Sequence, residues 1–170
     1  MSEWLNWRSA FLRQARSDWE AYQKIAEFEW PICHQLHYLQ MATEKLSKAL
    51  LIADDTELES MMGSHAAFVK FFRVIANNRK LQKALGMNKS QQRARFKTLF
   101  PLAHEVELLA PALAQHGPNP EYPWKDASRN ILAPADYSFP LLKRLQQSPQ
   151  GTQLLKYVEI FLKRFEELFM

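Results

Sequence analysis

Apolar and aromatic positions recur every three to four residues along most of this chain. Over residues 2–28, Trp4, Trp7, Phe11, Ala15, Trp19, Tyr22 and Ile25 keep that spacing with arginines and glutamates between them, which predicts one long amphipathic helix. Pro31 marks a new start, because proline is tolerated in a helix's first turn, and a second helix is predicted from there to about Ala53. Asp54-Asp55-Thr56 and Gly63 bracket a polar connection with room for a short turn of helix. Ser64 reads as the N-cap of a third helix that carries Phe68, Phe71, Phe72 and Ile75 and ends near Asn77-Asn78.

The downstream half is more broken. Arg79 to Leu85 predicts a short basic helix closed by Gly86, and Ser90 to Phe100 a second one. Pro101 and Pro111 punctuate a helix expected to reach about Gln115, and Gly117-Pro118-Asn119-Pro120 then stops helical structure. Residues 117–139 form the longest irregular stretch and are rich in proline and aromatics. A loop of that length either closes the end of a bundle as a lid or forms a pocket with Tyr122 and Trp124. Ser148-Pro149 is a cap followed by a favoured first residue for a last helix bearing Leu154, Val158, Phe161, Leu162 and Phe165. No strand pattern stands out. The expectation is an all-α, single-domain bundle of about five main helices over residues 1–170.

Composition changes little in this picture. At 170 residues, 47% hydrophobic and 24% charged, the chain can bury a substantial core. No apolar run approaches the roughly 18 residues that span a bilayer. The N-terminal pattern, with Glu3 and Arg8, is not that of a signal peptide. The single cysteine, Cys33, has no internal partner, which fits a reducing cytoplasm.

Charge changes it more. The net charge is only +4, yet residues 60–104 contain no aspartate or glutamate. They hold Lys70, Arg73, Arg79, Lys80, Lys83, Lys89, Arg93, Arg95 and Lys97, nine of the 22 basic residues. Such segregation creates a local field that attracts polyanions beyond what the net charge indicates. Arg79, Lys80, Lys83, Lys89, Arg93, Arg95 and Lys97 are therefore candidate nucleic-acid contacts. Phe96, Phe100, Tyr122 and Trp124 are candidate stacking surfaces for unpaired bases. The same tract also suits an acidic protein partner or an anionic lipid, and its phenylalanines suit a core.

The run Gln40-Met41-Ala42-Thr43-Glu44-Lys45-Leu46-Ser47-Lys48-Ala49-Leu50-Leu51 resembles the second helix of HEPN domains through its order Gln-x-Ala-x-Glu-Lys-x-x-Lys-Ala-Leu-Leu. Phe11, Ala15, Asp18 and Ala21 look like that family's first helix. Cys33 falls where a small residue or cysteine opens the second, and Gly63-Ser64-His65 looks like the start of the third. Residues 153–168 would be the helix that closes the bundle. The family is small, helical and mostly prokaryotic, and its members include ribonuclease toxins and partners of minimal nucleotidyltransferases. The resemblance implies a homodimer and an inner polar network drawn from His37, Glu44, Lys45 and His65.

One departure matters. Ribonuclease members carry an arginine followed after four to six residues by a histidine near the closing helix. Here no arginine has that spacing; the nearest pair, Arg95 and His104, is too far apart, and the closing helix has no histidine. The resemblance then implies a non-catalytic module that engages RNA or a partner protein, in a defence or toxin–antitoxin setting. A nuclease would need a composite site, for example His65 or His37 with Arg73 or Arg129. A third alternative is a structural subunit that assembles with a nucleotidyltransferase or an effector. Cys33-His34 and His37 have helical ligand spacing, but a firm zinc or iron site needs more donors than these supply. No metal or cofactor is expected.

Overall fold

A computed structural model describes residues 3–53 and 56–170. Asp54 and Asp55, which open the expected polar connection, and the expected helix start at residue 2 lie outside the described residues. The chain is mostly helical. Helix α1 (Glu3–Ile25) buries Leu12, Ala15, Asp18, Trp19 and Tyr22 along one stripe. It ends in turns closed by Lys24 and Ile25 carbonyls, as Trp30 before Pro31 favours extended backbone. Helix α2 (Ile32–Leu51) follows, with Pro31 at its N-cap rather than inside its first turn. Arg8 donates to the Ile52 carbonyl at 2.9 Å, whereas Asp18 meets Lys45. Sequence number falls along α1 as it rises along α2, so the pair is antiparallel.

Helix α3 (Leu58–Gly63) is the short helix that the polar connection had room for, and helix α4 (Phe68–Ile75) starts later than an N-cap at Ser64 implied. Ser64 ends α3, its N–H donating to the Met61 carbonyl, so it is a C-cap and not an N-cap. The N-cap residue of α4, Ala67, has no side-chain acceptor to offer. The cap comes from across the molecule: Oε1 of buried Glu107 accepts the Val69 N–H at 2.8 Å.

Helix α5 (Arg79–Leu85) matches its expected bounds. It is capped by Asn78 and closed by Gly86, whose φ of 63° lies in the left-handed region. Helix α6 (Lys89–Lys97) starts one residue earlier and ends three earlier than expected. Asn88 and Gln91 form a capping box at its start, each side chain accepting the other's backbone N–H. Helices α7 (Phe100–Glu107) and α8 (Pro111–Ala114) each have a proline in the first turn, so both prolines restart the chain rather than kink one helix.

The 117–139 segment is more ordered than its composition indicated. Two short antiparallel strands, β1 (Trp124–Lys125) and β2 (Ile131–Leu132), pair Trp124 with Leu132 and precede a 3-10 turn at Pro134–Asp136. Trp124 is buried, edge-on to Tyr137 at 5.1 Å, which supports the cover role for this ring. Helix α9 (Pro140–Gln147), not expected from the sequence, then leads to α10 (Pro149–Lys163) and α11 (Phe165–Phe169). Ser148 ends α9 and caps α10 by accepting the Gly151 N–H.

The core is continuous. Phe68, Phe71 and Phe72 of α4, Phe96 of α6, and Phe161 and Phe165 are all essentially inaccessible. Phe72 lies 5.5 Å from Phe96, and Phe71 lies 5.5 Å from Phe161. This aromatic cluster ties the basic middle of the chain to its C-terminal helices, so the cations of α5 and α6 stand on a rigid base.

Candidate nucleic-acid interface

Helix α2 carries three of the residues implied for an inner polar network, His37, Glu44 and Lys45. Gln40, Glu44 and Lys48 are four residues apart and share one stripe. Gln40 Nε2 donates to Glu44 Oε2 at 2.8 Å, and Lys48 Nζ donates to Glu44 Oε1 at 2.6 Å. Lys48 also reaches the Met62 carbonyl at 3.0 Å, and His65 Nδ1 meets Glu44 Oε2 at 2.8 Å. Burial by itself would push the Glu44 carboxyl up. The hydrogen bonds from Lys48, His65 and Gln40 and the Lys48 charge outweigh it, and the group lies below the ordinary glutamate range. With Glu44 ionised, His65 must present Nδ1–H to make this contact.

Lys45 does not join this group. It points to α1 and pairs with Asp18 Oδ2 at 2.9 Å, while Gln14 donates to the other oxygen of Asp18 at 2.9 Å. His37 is also elsewhere. Its ring is edge-on to Tyr38, and its Nδ1 lies 3.4 Å from Glu121, too poorly aligned for a hydrogen bond. Of the four inner polar residues, only Glu44 and His65 touch. Lys48, Gln40 and Asp18 complete what proves to be two clusters. Their i, i+4 spacing in α2 was readable, but the partner on α1 was not.

The two clusters are closed on themselves. Every oxygen of Glu44 has a donor, and Lys48 is 4% exposed. They tie α2 to α1 and to the connection between α3 and α4. No hydrogen bond or ion pair joins His65 or His37 to Arg73 or Arg129 among the described residues. Arg73 instead lies over the Phe100 ring, 5.9 Å from its centre, and Arg129 sits in the β1–β2 turn with φ of 66°. Among the described residues no group of three or more His, Cys, Asp or Glu could hold a metal ion. Cys33 is buried, which pushes its thiol up.

The basic tract is different. All nine of its cations are exposed. Among the described residues, none is within ion-pair distance of a carboxylate, although Arg16, Arg144, Lys163 and Arg164 elsewhere on the surface are so paired. Burial of Gln92 and Phe96 fixes how α6 faces the core, Gln92 donating to the Ile75 carbonyl at 2.7 Å. That orientation sets Lys89, Arg93 and Lys97 in one outward row at four-residue steps, with Arg95 on the other flank. Arg93 is steadied by Asn77 Oδ1 at 2.9 Å. On α5 the buried Leu81 turns Arg79, Lys80 and Lys83 outward in the same way.

The expected stacking surfaces do not accompany them. Phe96 is fully enclosed by Phe72, Tyr157 and Phe161, and Trp124 is buried in the aromatic cover. Phe100 is half-buried beneath Arg73. Tyr122 alone of the four is well exposed, at 60%. A three-to-four spacing assigned Phe96 to a helix correctly; its row coincides with Gln92, and that is the row facing inward.

Beside α6 lies a groove of about 520 Å³, shared with the first two turns of α10. Arg95, Thr98 and Gln91 line one wall, and Gln150 and Gln153 the other. Arg95 lies near enough to Tyr157 to act on it: burial pushes that phenol up, and the Arg95 charge offsets part of the rise. Among the described residues no acidic side chain lines the groove. No helix is long and apolar enough to cross a membrane among the described residues. No family model matches this chain, and no curated protein or solved structure matches it either.

Proposed function

We propose that this protein is a non-catalytic binding module of HEPN-like build that engages RNA through the exposed cations of α4, α5 and α6. The carrying observation is that Lys70, Arg73, Arg79, Lys80, Lys83, Lys89, Arg93, Arg95 and Lys97 all face outward without a carboxylate partner among the described residues. Unpaired cations on a firm helical base neutralise phosphates and release counterions, which makes binding strong and salt-sensitive. Such contacts position a polyanion without reading its sequence. The five-helix reading takes α1, α2, α4, α7 and α10 as the main bundle, since these pack on one another around the aromatic core. The likeness of residues 40–51 to the family's second helix supports the HEPN part of the proposal, and a defence or toxin–antitoxin setting in the cytoplasm is its biological counterpart.

A second reading has its own support. Phe28 and Trp30 are 61% and 59% exposed and lie together at the α1–α2 connection, with His34 edge-on to Trp30 at 5.8 Å. Exposed large aromatics are the residues that anchor protein interfaces. They favour a subunit that assembles with a second copy or with a partner such as a nucleotidyltransferase.

The deciding test is fluorescence anisotropy of a labelled RNA hairpin, with both stem and loop, across a salt series. The module reading expects affinity that falls steeply with salt and collapses when Arg93, Arg95 and Lys97 become alanine. Absence of binding at low salt would refute it and leave the assembly reading in place.

A further inference from the structure

The groove between α6 and α10 carries chemistry that a simple basic surface does not need. Its two walls bring Arg95 together with the carboxamides of Gln91, Gln150 and Gln153 and the Thr98 hydroxyl, which donates to the Arg95 carbonyl at 2.7 Å and so offers a ligand only its oxygen. Gln150 and Gln153 make no side-chain hydrogen bond within the chain among the described residues, so donors and acceptors of both are available to a ligand. Gln91 spends its oxygen on the Asn88 N–H, leaving its NH₂ free. The row Lys89, Arg93 and Lys97 runs along the same helix and spans roughly 12 Å at the usual helical rise. The cationic rail lies on one flank of α6 and the slot, whose charged residue is Arg95, on the other. A ligand that uses both straddles the helix and meets groups that give and accept hydrogen bonds on the slot side.

Resting on the RNA-binding reading above, we infer that this slot takes the ribose edge of an A-form RNA duplex whose phosphates lie on the α6 rail. A 2′-hydroxyl is both donor and acceptor, and so is a glutamine carboxamide. In an A-form helix the wide, shallow minor groove displays these hydroxyls beside the phosphates, whereas the base edges in the deep major groove are out of reach. A DNA duplex offers the same phosphates but no hydroxyl, so it engages the rail and leaves the slot unused. Unpaired strands are held mainly by bases stacked on exposed aromatics. The rail and slot have none, because Phe96 is enclosed and Tyr157 is buried. The slot thus distinguishes RNA from DNA without reading sequence.

The test compares three labelled probes of one sequence, about 20 nucleotides per strand and so longer than the reach of known duplex-RNA modules: an RNA duplex, a DNA duplex and single-stranded RNA. Each is titrated with the full chain and with Gln150→Ala/Gln153→Ala. Neither position is part of the core, and alanine favours the helix, so the variant retains the fold. The RNA duplex is expected to bind at least about fivefold tighter than the DNA duplex, the order contributed by one net hydrogen bond. In the variant that preference disappears, while DNA-duplex affinity and its salt slope stay unchanged. Equal affinity for the two duplexes overturns the inference, as does a preference that survives in the variant or tighter binding of the single strand. If no probe binds at low salt, the parent reading itself has failed, an outcome distinct from loss of discrimination.

Discussion

At Glu44 a carboxylate is kept ionised out of water because three side chains supply what water would. Removing its charge alone strands the Lys48 ammonium, which is 4% exposed and would keep only a neutral carboxamide oxygen and the Met62 carbonyl as acceptors. Glu44→Gln should therefore lower stability by about 3 kcal/mol in urea unfolding, the usual cost of breaking a buried pair. Adding Lys48→Met should restore part of it. The pH dependence has a definite sign. A carboxyl whose folded value is depressed adds stability that is complete above the unfolded value, about 4.3 for glutamate, and is lost as pH falls through the lower folded value. Glu44→Gln should flatten the urea midpoint against pH in that acidic window; an unchanged slope would mean Glu44 is not held below its ordinary range. Residues 40–48 were the most legible stretch of this chain, since one turn of helix relates Gln40 to Glu44 and Glu44 to Lys48. Asp18 and His65 were recognisable as polar, but their pairing with Lys45 and Glu44 depends on how α1 and the α3–α4 connection dock, and spacing along the chain carries no record of that.

Elements show the same division between local and distant causes. The cap of α10 was read at Ser148, and those of α5 and α6, missed at Asn78 and Asn88, are equally local, since all three side chains act on N–H groups three residues away. The start of α4 was misread at Ser64, because the cap on Val69 is Glu107, far downstream in the chain. This contrast can be measured: Ser64→Ala should change the unfolding free energy by less than about 0.5 kcal/mol, whereas Glu107→Ala should cost about 1–2 kcal/mol, the range of a lost N-cap. Equal effects would return the cap to Ser64. Helix α9 escaped notice because its eight residues, with Leu141, Leu142 and Leu145 inward, follow a proline-rich stretch that masked a short amphipathic period. Its join to α10 is close. A Cβ at Gly151 would press on the Arg144 carbonyl and lie 2.5 Å from Leu145 Cα. Gly151→Ala, which stabilises an open helix, should here destabilise by about 1–3 kcal/mol as overpacking does. A raised melting temperature in this variant would show that α9 and α10 stand further apart.

For the whole molecule, placing nine unneutralised cations on one stretch carries an energetic consequence independent of any ligand. Several of the carboxylates that could have balanced them are engaged elsewhere: Glu105 with Arg144, Glu159 with Lys163, Glu166 with Arg16 and Glu167 with Arg164. Mutual repulsion in the basic tract then acts against the compact state, and salt relieves it, because at 0.1 M the screening length is roughly 10 Å. The free protein should melt at higher temperature as sodium chloride is raised from about 0.02 to about 0.2 M, the range over which screening of surface charge changes most. Lys80, Lys83 and Lys97 make no side-chain hydrogen bond or ion pair among the described residues, so replacing all three with glutamine removes charge and little else. That variant should melt no lower than the parent at low salt and respond less to added salt, while losing affinity for RNA. Those two results together would support a surface kept for a polyanion at a cost in stability. If the triple variant instead melts lower, these lysines hold the fold, and the basic tract is an ordinary solvated face.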